Sequence, residues 1–308
     1  MDTLTTANGR SIEEILRCHA QWLEGASEHF RCVLDGETLN EARMRGINLR
    51  GGVLRGTTFL DADLTDLNLG GAILEAVDFE RAILSGSDLN GAQVSETQFS
   101  AAWLTAAIFC DATVRTSHFR KAQMRECRFQ GAVMEGCKLC GANLDSASFH
   151  HARLTTCDFS ECEVNYTQFI GAHLRGCRLV SVHGTKVSFS NIRMKACDFA
   201  KADLPGAKFS RADLGASHFD RAALSEADFR HADLSGADFS RADLMHAHFG
   251  SAKLFAADLR GANLTGARDL TAGQLTQART DESTILPNGS KGPYRRYSGA
   301  ERPVLLDR

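Results

Sequence analysis

The chain has 308 residues and a formal net charge of −3, which does not favour direct nucleic-acid binding because that function usually needs a basic domain. No apolar run approaches the ~20 residues needed to span a bilayer. The first residues lack the charged-then-apolar layout of a secretory signal. These features predict a cytoplasmic protein without a membrane span.

Residues 1–30 are predicted to form an N-terminal capping region built on an amphipathic helix. Ser11 is followed three residues later by Glu14, which is the pattern of a capping box. Apolar residues then recur at helical spacing as far as Leu23, and Gly25 marks the stop. We expect a helix over 11–24, with Trp22 and Leu23 covering the edge of the next segment.

A five-residue repeat dominates the middle of the chain. Counting every fifth residue from Leu34 to Leu264 gives 47 positions, all Leu, Phe, Met or Val except Gly184. The residue two places earlier is Ala in 26 of these pentads and Cys in seven. A period of five fits neither an α-helix nor a β-strand, but it fits a chain that turns a corner in every pentad. The large residue and the small one then point inward.

This pattern, clearest in HADLSGADFSRADL at 231–244, resembles the pentapeptide-repeat family with its motif A(D/N)LXX. The resemblance covers residues 31–268. It implies an all-β solenoid: a right-handed quadrilateral parallel β-helix with 20 residues per coil and about 12 coils. We name the four sides faces a to d, starting from the pentad of Leu34, so that face a recurs every 20 residues. Phe then falls mostly on the opposite faces b and d.

Seven of the ten cysteines occupy the small inward position, which favours a packing role over a disulfide or zinc framework. Cys137 and Cys140 form a CxxC pair, but the register points one inward and the other outward. We find no catalytic, cofactor-binding or metal-binding constellation in the sequence. The prediction is a protein that is not an enzyme and has no cofactor.

A basic patch is predicted on face a. Residues 61–111 carry a net charge of −8, whereas residues 112–200 carry +5. Residues twenty apart stack on neighbouring coils, so like charges meet there, and this local conflict favours an anionic partner. The alternative is a solvated face balanced by nearby acids. The patch comprises Arg153, His173, Arg175, Arg193 and Lys195.

Two further features depart from the repeat. Ile83 and Trp103 are one coil apart on face c at outward positions, which favours either an apolar binding patch or incidental surface apolarity. Gly184 interrupts the core, and larger residues replace the small inward residue around it. We expect a bulge or a bend over 182–192. The larger residues are Val182, Val187 and Ile192.

The register slips at Asp269, and Thr271 with Gln274 predicts a second capping box. We expect a C-terminal cap over 269–286 with a short helix near 272–279. Residues 287–308 are predicted to form an extended tail. Its late apolar residues, Val304 to Leu306, are candidates for docking on the repeat region or on a partner.

Three functional hypotheses follow. The first is a non-catalytic interaction scaffold that presents flat faces to a protein partner of unknown identity. The second is a DNA mimic that binds DNA gyrase, as in the quinolone-resistance group of the family this chain resembles; the basic middle segment departs from that pattern. The third is an effector or accessory protein of a bacterial secretion system. An exposed end of the solenoid would also offer a route to a dimer.

Overall fold

The computed structural model describes residues 11–26 and 30–303. The chain divides into two compact units, Met1–Ser148 and Phe149–Arg308. Neither helix among the described residues could cross a bilayer. The first unit contains α1 (Ile12–Leu23), β1 (Val33–Asp35), β2 (Val53–Arg55), β3 (Ile73–Glu75), β4 (Gln93–Ser95), β5 (Thr113–Arg115) and β6 (Val133–Glu135). The second contains β7 (Arg153–Thr155), β8 (His173–Arg175), β9 (Arg193–Lys195) and α2 (Ala272–Gln277).

Both units are built from parallel coils of twenty residues. Strands β1–β6 pair in sequence, with Val33 opposite Val53 and so on, and β7–β9 do the same in the second unit. The other three faces pair through isolated bridges with the same offset, as between Thr38 and Thr58. Four ladders for every twenty residues define a four-sided parallel β-solenoid. The predicted fold class is confirmed.

The core follows the five-residue register. All 47 positions predicted for the large inward residue are buried, including that of Gly184. In the second unit the ring of Phe209 stacks on Phe189 and Phe229 with centroids 4.9 and 5.1 Å apart. It also meets Phe219 edge-on, at 5.8 Å. Each such pair contributes ~0.5–1.5 kcal/mol beyond the area it buries, so aromatic ladders reinforce the stacking of coils.

The corners depend on a left-handed residue two places after each core residue. Glu161, Lys201 and Arg241 hold φ values of 61°, 58° and 58°, which non-glycine residues rarely adopt. The backbone N–H at each corner donates to the next coil, as from Arg241 to the Arg260 carbonyl at 2.9 Å. The Asp or Asn before the core residue supports the same corner, since Asp238 Oδ1 accepts the Ser240 N–H at 2.8 Å.

Nine face-a segments of the described residues form regular strands, fewer than the 12 coils that the sequence predicted. Beyond β9, face a continues as isolated bridges from Arg193 through Asp213 and Asp233 to Lys253. Face a has no regular strand beyond β9 because the corners that follow its core residues change there. After Leu234 the corner is closed by a backbone hydrogen bond, from Ala237 N to the Leu234 carbonyl at 3.0 Å, and this turn removes the following residue from the strand.

Helix α1 covers the start of the first unit through a histidine that the sequence pattern did not single out. The buried His19 accepts the backbone N–H of Cys32 at Nδ1, 2.8 Å away. Burial lowers the pKa of His19, which keeps this acceptor neutral. Trp22 stacks on His19 at 5.4 Å. The prediction of an N-terminal capping box was wrong, since the Ser11 side chain makes no capping hydrogen bond.

The C-terminal cap contains the predicted box. Gln274 N donates to Thr271 Oγ1 at 3.2 Å, and Thr271 N donates to Gln274 Oε1 at 2.8 Å. The Gln274 amide also donates to the carbonyls of Phe249 and Ala252, both at 2.9 Å. These hydrogen bonds pair backbone carbonyls at the edge of the last coil, which would otherwise lack a partner.

The segment after residue 287 differs from the extended tail that the sequence predicted. Its described part, to residue 303, turns back: Tyr294 N donates to Thr280 Oγ1 at 2.8 Å, and Gly292 N donates to the Thr284 carbonyl at 3.0 Å. Ala300 is buried. The apolar trio 304–306 lies outside the described residues.

Candidate functional site

The five residues of the predicted basic patch lie together on face a of the second unit. Parallel pairing of β7–β9 places Arg153, His173 and Arg193 in one row. Arg175 and Lys195 form a second row on the other side of the core residues. All five side chains are exposed.

The two rows border a shallow depression of about 320 Å³. All five predicted residues line it, together with Thr155 and Asp213. The core residues Leu174 and Met194 also line the depression, with exposures of 2% and 4%. We call this surface the basic depression.

The cations of the basic depression have no acidic partner within ion-pairing distance among the described residues. The first unit shows the contrast at the same positions of its own face-a strands. There Arg55 pairs with Glu75 at 2.8 Å and Arg115 pairs with Glu135 at 3.7 Å, each one coil further on. In the second unit Arg175 lies opposite Lys195 instead. Like charges directly opposite each other are destabilising, which suits a surface that binds an anionic partner.

A column of cysteines is hydrogen-bonded to the backbone of the strands that carry the second basic row. At the corners after β7, β8 and β9 the inward residue is Cys157, Cys177 or Cys197, and its thiol donates to the carbonyl two residues earlier. For Cys177 the acceptors are the Leu154 carbonyl, at 3.3 Å, and the Arg175 carbonyl, at 3.7 Å. Arg175 and Lys195 are the last residues of β8 and β9, which end at these corners.

The depression ends where the corners close. Asp213 follows Arg193 in the first row, and Asp233 follows Asp213. Asp233 is paired with Lys253 at 3.0 Å. Hydrogen bonds from Ser235 and Lys253 hold the pKa of Asp233 below its usual value. The row therefore changes from uncompensated positive charge to locally balanced charge.

The predicted apolar pair lies in the first unit. Ile83 and Trp103 are bridged neighbours on adjacent coils of face c, and their exposures are 39% and 55%. Asp63 precedes them in the column and Gln123 follows. The two side chains thus form a small apolar patch bordered by polar residues, and its binding role stays a prediction.

The irregularity at Gly184 is local to one corner. The bridges from Glu163 to His183 and from His183 to Asp203 keep the twenty-residue offset. The preceding face-c corner is closed by a hydrogen bond from Thr167 N to the Val164 carbonyl at 3.1 Å, whereas the corner after Gly184 is a bend at 185–186. The residues replacing the small inward position are buried: Val182, Val187 and Ile192.

Metal and thiol chemistry has little support in the part of the chain that the structure describes. No three or more His, Cys, Asp or Glu residues are grouped there to hold a metal ion. Cys137 is buried and Cys140 is half-buried. Burial raises the pKa of Cys127 far above that of a free thiol, which suits an inert core residue.

Family models match most of this repeat architecture. The model described as pentapeptide repeats matches in eight copies, over 42–81 and then, in overlapping segments, over 165–279. A second model, the pentapeptide repeat region, matches 72–149. The chain belongs to the pentapeptide repeat family. The family resemblance seen in the sequence is thereby confirmed.

Solved structures of pentapeptide repeat proteins are similar to this one at low identity. HetL, involved in heterocyst differentiation regulation in Nostoc sp. strain PCC 7120, is 24% identical, with 88% of this chain and 98% of that chain covered and a TM-score of 0.31. QnrB1, a plasmid-mediated fluoroquinolone resistance protein, is 16% identical, with 82% and 93% covered and a TM-score of 0.26. A pentapeptide repeat protein from the Arabidopsis thaliana thylakoid lumen is 22% identical, with 38% and 61% covered and a TM-score of 0.20. No curated protein matches the chain.

Proposed function

We propose that this protein is a non-catalytic cytoplasmic scaffold whose basic depression binds an acidic protein partner. The observation that carries the proposal is the set of five cationic or titratable groups around one shallow depression, none of them in an ion pair with an acid of the described residues. Binding there would relieve the repulsion between the stacked charges. Charge complementarity of this kind contributes mainly to association rate and specificity.

The fold supports a binding role. Strands β7–β9 hold the two rows on a backbone whose ladder hydrogen bonds fix the spacing, so little ordering is needed when a partner arrives. The exposed position of the rows makes the attraction sensitive to salt, because surface charges are screened within ~10 Å at 0.1 M ionic strength. We therefore expect partner affinity to fall as salt is added.

The experiment starts with affinity capture from cell extract, followed by direct binding of the purified captured protein. Three forms of the chain are compared: wild type, Arg153→Glu/Arg175→Glu/Arg193→Glu, and a control. The control, Lys201→Glu/Arg221→Glu/Arg241→Glu, makes the same charge change on an exposed column of face b in the same unit. We expect only the depression variant to lose direct binding. Equal binding by both triple variants would refute the proposal.

The apolar pair and the gyrase hypothesis are tested with the same material. A Trp103→Ala variant that loses the partner while the depression variant keeps it would move the binding site to the first unit. Gyrase supercoiling with and without ciprofloxacin, in the presence of wild type, tests the DNA-mimic alternative directly. An unchanged supercoiling activity would exclude it.

A further inference from the structure

Past the basic depression, one of the two outward rows on face a of the second unit carries only uncharged residues. The row that begins with Arg175 and Lys195 continues, at twenty-residue intervals, with Gly215, Ser235 and Phe255. The bridges from Arg193 to Lys253 show that these coils stay in register. Backbone hydrogen bonds from Ala216 N to the Ser235 carbonyl and from Gly236 N to the Phe255 carbonyl link the row itself.

Phe255 is unusual because the other phenylalanines of the second unit are core residues. Its side chain is 66% exposed, whereas Phe229 and Phe249 are fully buried. An exposed aromatic ring on a flat face suits contact with a partner, since Phe, Tyr and Trp are enriched at the centres of protein interfaces. Gly215 and Ser235 lie between Phe255 and the cations. Because Gly215 has no side chain and Ser235 has a small one, little projects from the sheet surface there.

The charges of the neighbouring row determine which kind of partner segment can lie over Gly215 and Ser235. Asp213 and Asp233 lie beside Gly215 and Ser235, and the charge of Asp233 is balanced by Lys253. A chain carrying negative charge along its whole length would be repelled at Asp213. A uniformly charged phosphate backbone therefore fits this face less well than a protein segment whose acids are confined to one end.

We propose that face a of the second unit is a docking surface for an extended acidic segment of a partner protein. Carboxylates of the segment lie over the basic depression, uncharged residues cross Gly215 and Ser235, and an apolar side chain packs on Phe255. This inference rests on the proposed function and specifies the chemistry of the partner.

The spacing of the segment follows from the solenoid. Lys195 and Phe255 are three coils apart and Arg175 is four coils from Phe255, which gives about 14–19 Å at ~4.8 Å per coil. An extended chain covers about 3.3 Å per residue. The apolar residue is therefore expected about four to six residues from the acidic cluster.

The probes are synthetic peptides with a fluorescent label, titrated with the full chain at low salt. The first has a glutamate run, a neutral Gly/Ser spacer of about five residues and a tryptophan. The second replaces the tryptophan by alanine, the third replaces the glutamates by glutamines, and the fourth shortens the spacer to about two residues. The protein variants are Phe255→Ala, Arg175→Glu/Lys195→Glu and, as an exposed-aromatic control in the first unit, Trp103→Ala.

We expect Phe255→Ala to weaken binding of the first peptide about tenfold and to leave the alanine and short-spacer peptides unchanged. Arg175→Glu/Lys195→Glu should abolish binding of all glutamate peptides, and Trp103→Ala should change none. If Phe255→Ala binds the first peptide as well as wild type does while the charge variant fails, the extended surface is wrong and the proposed function stands. If the glutamine peptide binds as well as the glutamate peptide, the proposed function fails too.

Discussion

Replacing Gly184 by alanine tests whether close approach of two coils, rather than backbone conformation, requires glycine at this core position. Gly184 does not occupy the left-handed region. A Cβ atom there would lie 2.7 Å from Val164 Cγ2, 2.8 Å from the Val164 carbonyl carbon and 3.0 Å from its oxygen. The side-chain methyl can rotate away, but the two backbone atoms move only with their coil. Overpacking of this kind costs ~1–3 kcal/mol of unfolding free energy.

The matched control is Gly250→Ala in the same unit. A Cβ there would meet its nearest atoms, in the side chains of Arg230 and Asp269, at 3.5 Å, which is ordinary contact. Urea unfolding followed by circular dichroism gives the free energies of both variants. We expect a clear loss for Gly184→Ala and a change within ~0.5 kcal/mol for the control. If Gly184→Ala is as stable as Gly250→Ala, the steric argument is refuted.

Three further predictions concern the cap, the core and the corner. Burial lowers the pKa of His19 below its unfolded value near 6.5, so its contribution to the free energy of unfolding is complete above that pH and is lost as pH falls below it. Urea midpoints measured from pH 8 to pH 5 should therefore drop more for wild type than for His19→Leu. Phe209→Ala, which removes a stacked core ring, should cost ~3–5 kcal/mol in urea unfolding, and a loss below ~1 kcal/mol would contradict the aromatic ladder. Cys177→Ala should weaken binding of a glutamate peptide about threefold while Cys177→Ser restores it, because only the serine keeps a donor to the Leu154 and Arg175 carbonyls. Equal binding by both variants would refute a positioning role for Cys177.

The core was predictable because its signal is chemical and strictly periodic. A large apolar residue every five positions, with a small one two places before, is enough to define faces such as the Phe209 and Phe229 column. The offset of twenty residues per coil is likewise enough to place Arg153, His173 and Arg193 in one row. Residues that stack in this fold are identified by counting.

The corners were harder to predict because their common property is conformational. Glu161, Lys201 and Arg241 share a left-handed φ but no side-chain chemistry, so no residue pattern indicates them. The inward residue does not indicate the kind of corner either, since Cys162 and Ala237 both lie at corners closed by a backbone hydrogen bond, to the carbonyls of Phe159 and Leu234. Any small buried side chain fits that position.

The exposed Phe255 was missed for a different reason. Phe255 occupies a position that is outward in every pentad. In a sequence with many phenylalanines, residue type alone does not distinguish it from the core phenylalanines. His19 was missed because the helix was judged by its apolar residues alone. Both positions follow from the register or the helical spacing, but the exposure of Phe255 and the hydrogen bond of His19 depend on packing.

The left-handed corners make the solenoid tolerant of one kind of insertion and intolerant of another. Five extra residues between Arg175 and Arg193 would add one more corner and one more core residue, so the five-residue core register would continue, with phenylalanines stacked on leucines at the point of insertion. Every later side chain, however, would move to the next face, and Arg193 and Lys195 would leave the depression. Only an insertion of twenty residues, or of a multiple of twenty, restores the faces. The core therefore repeats every five residues and the surface every twenty, so that an insertion of five residues would change the surface of face a while the core register continues.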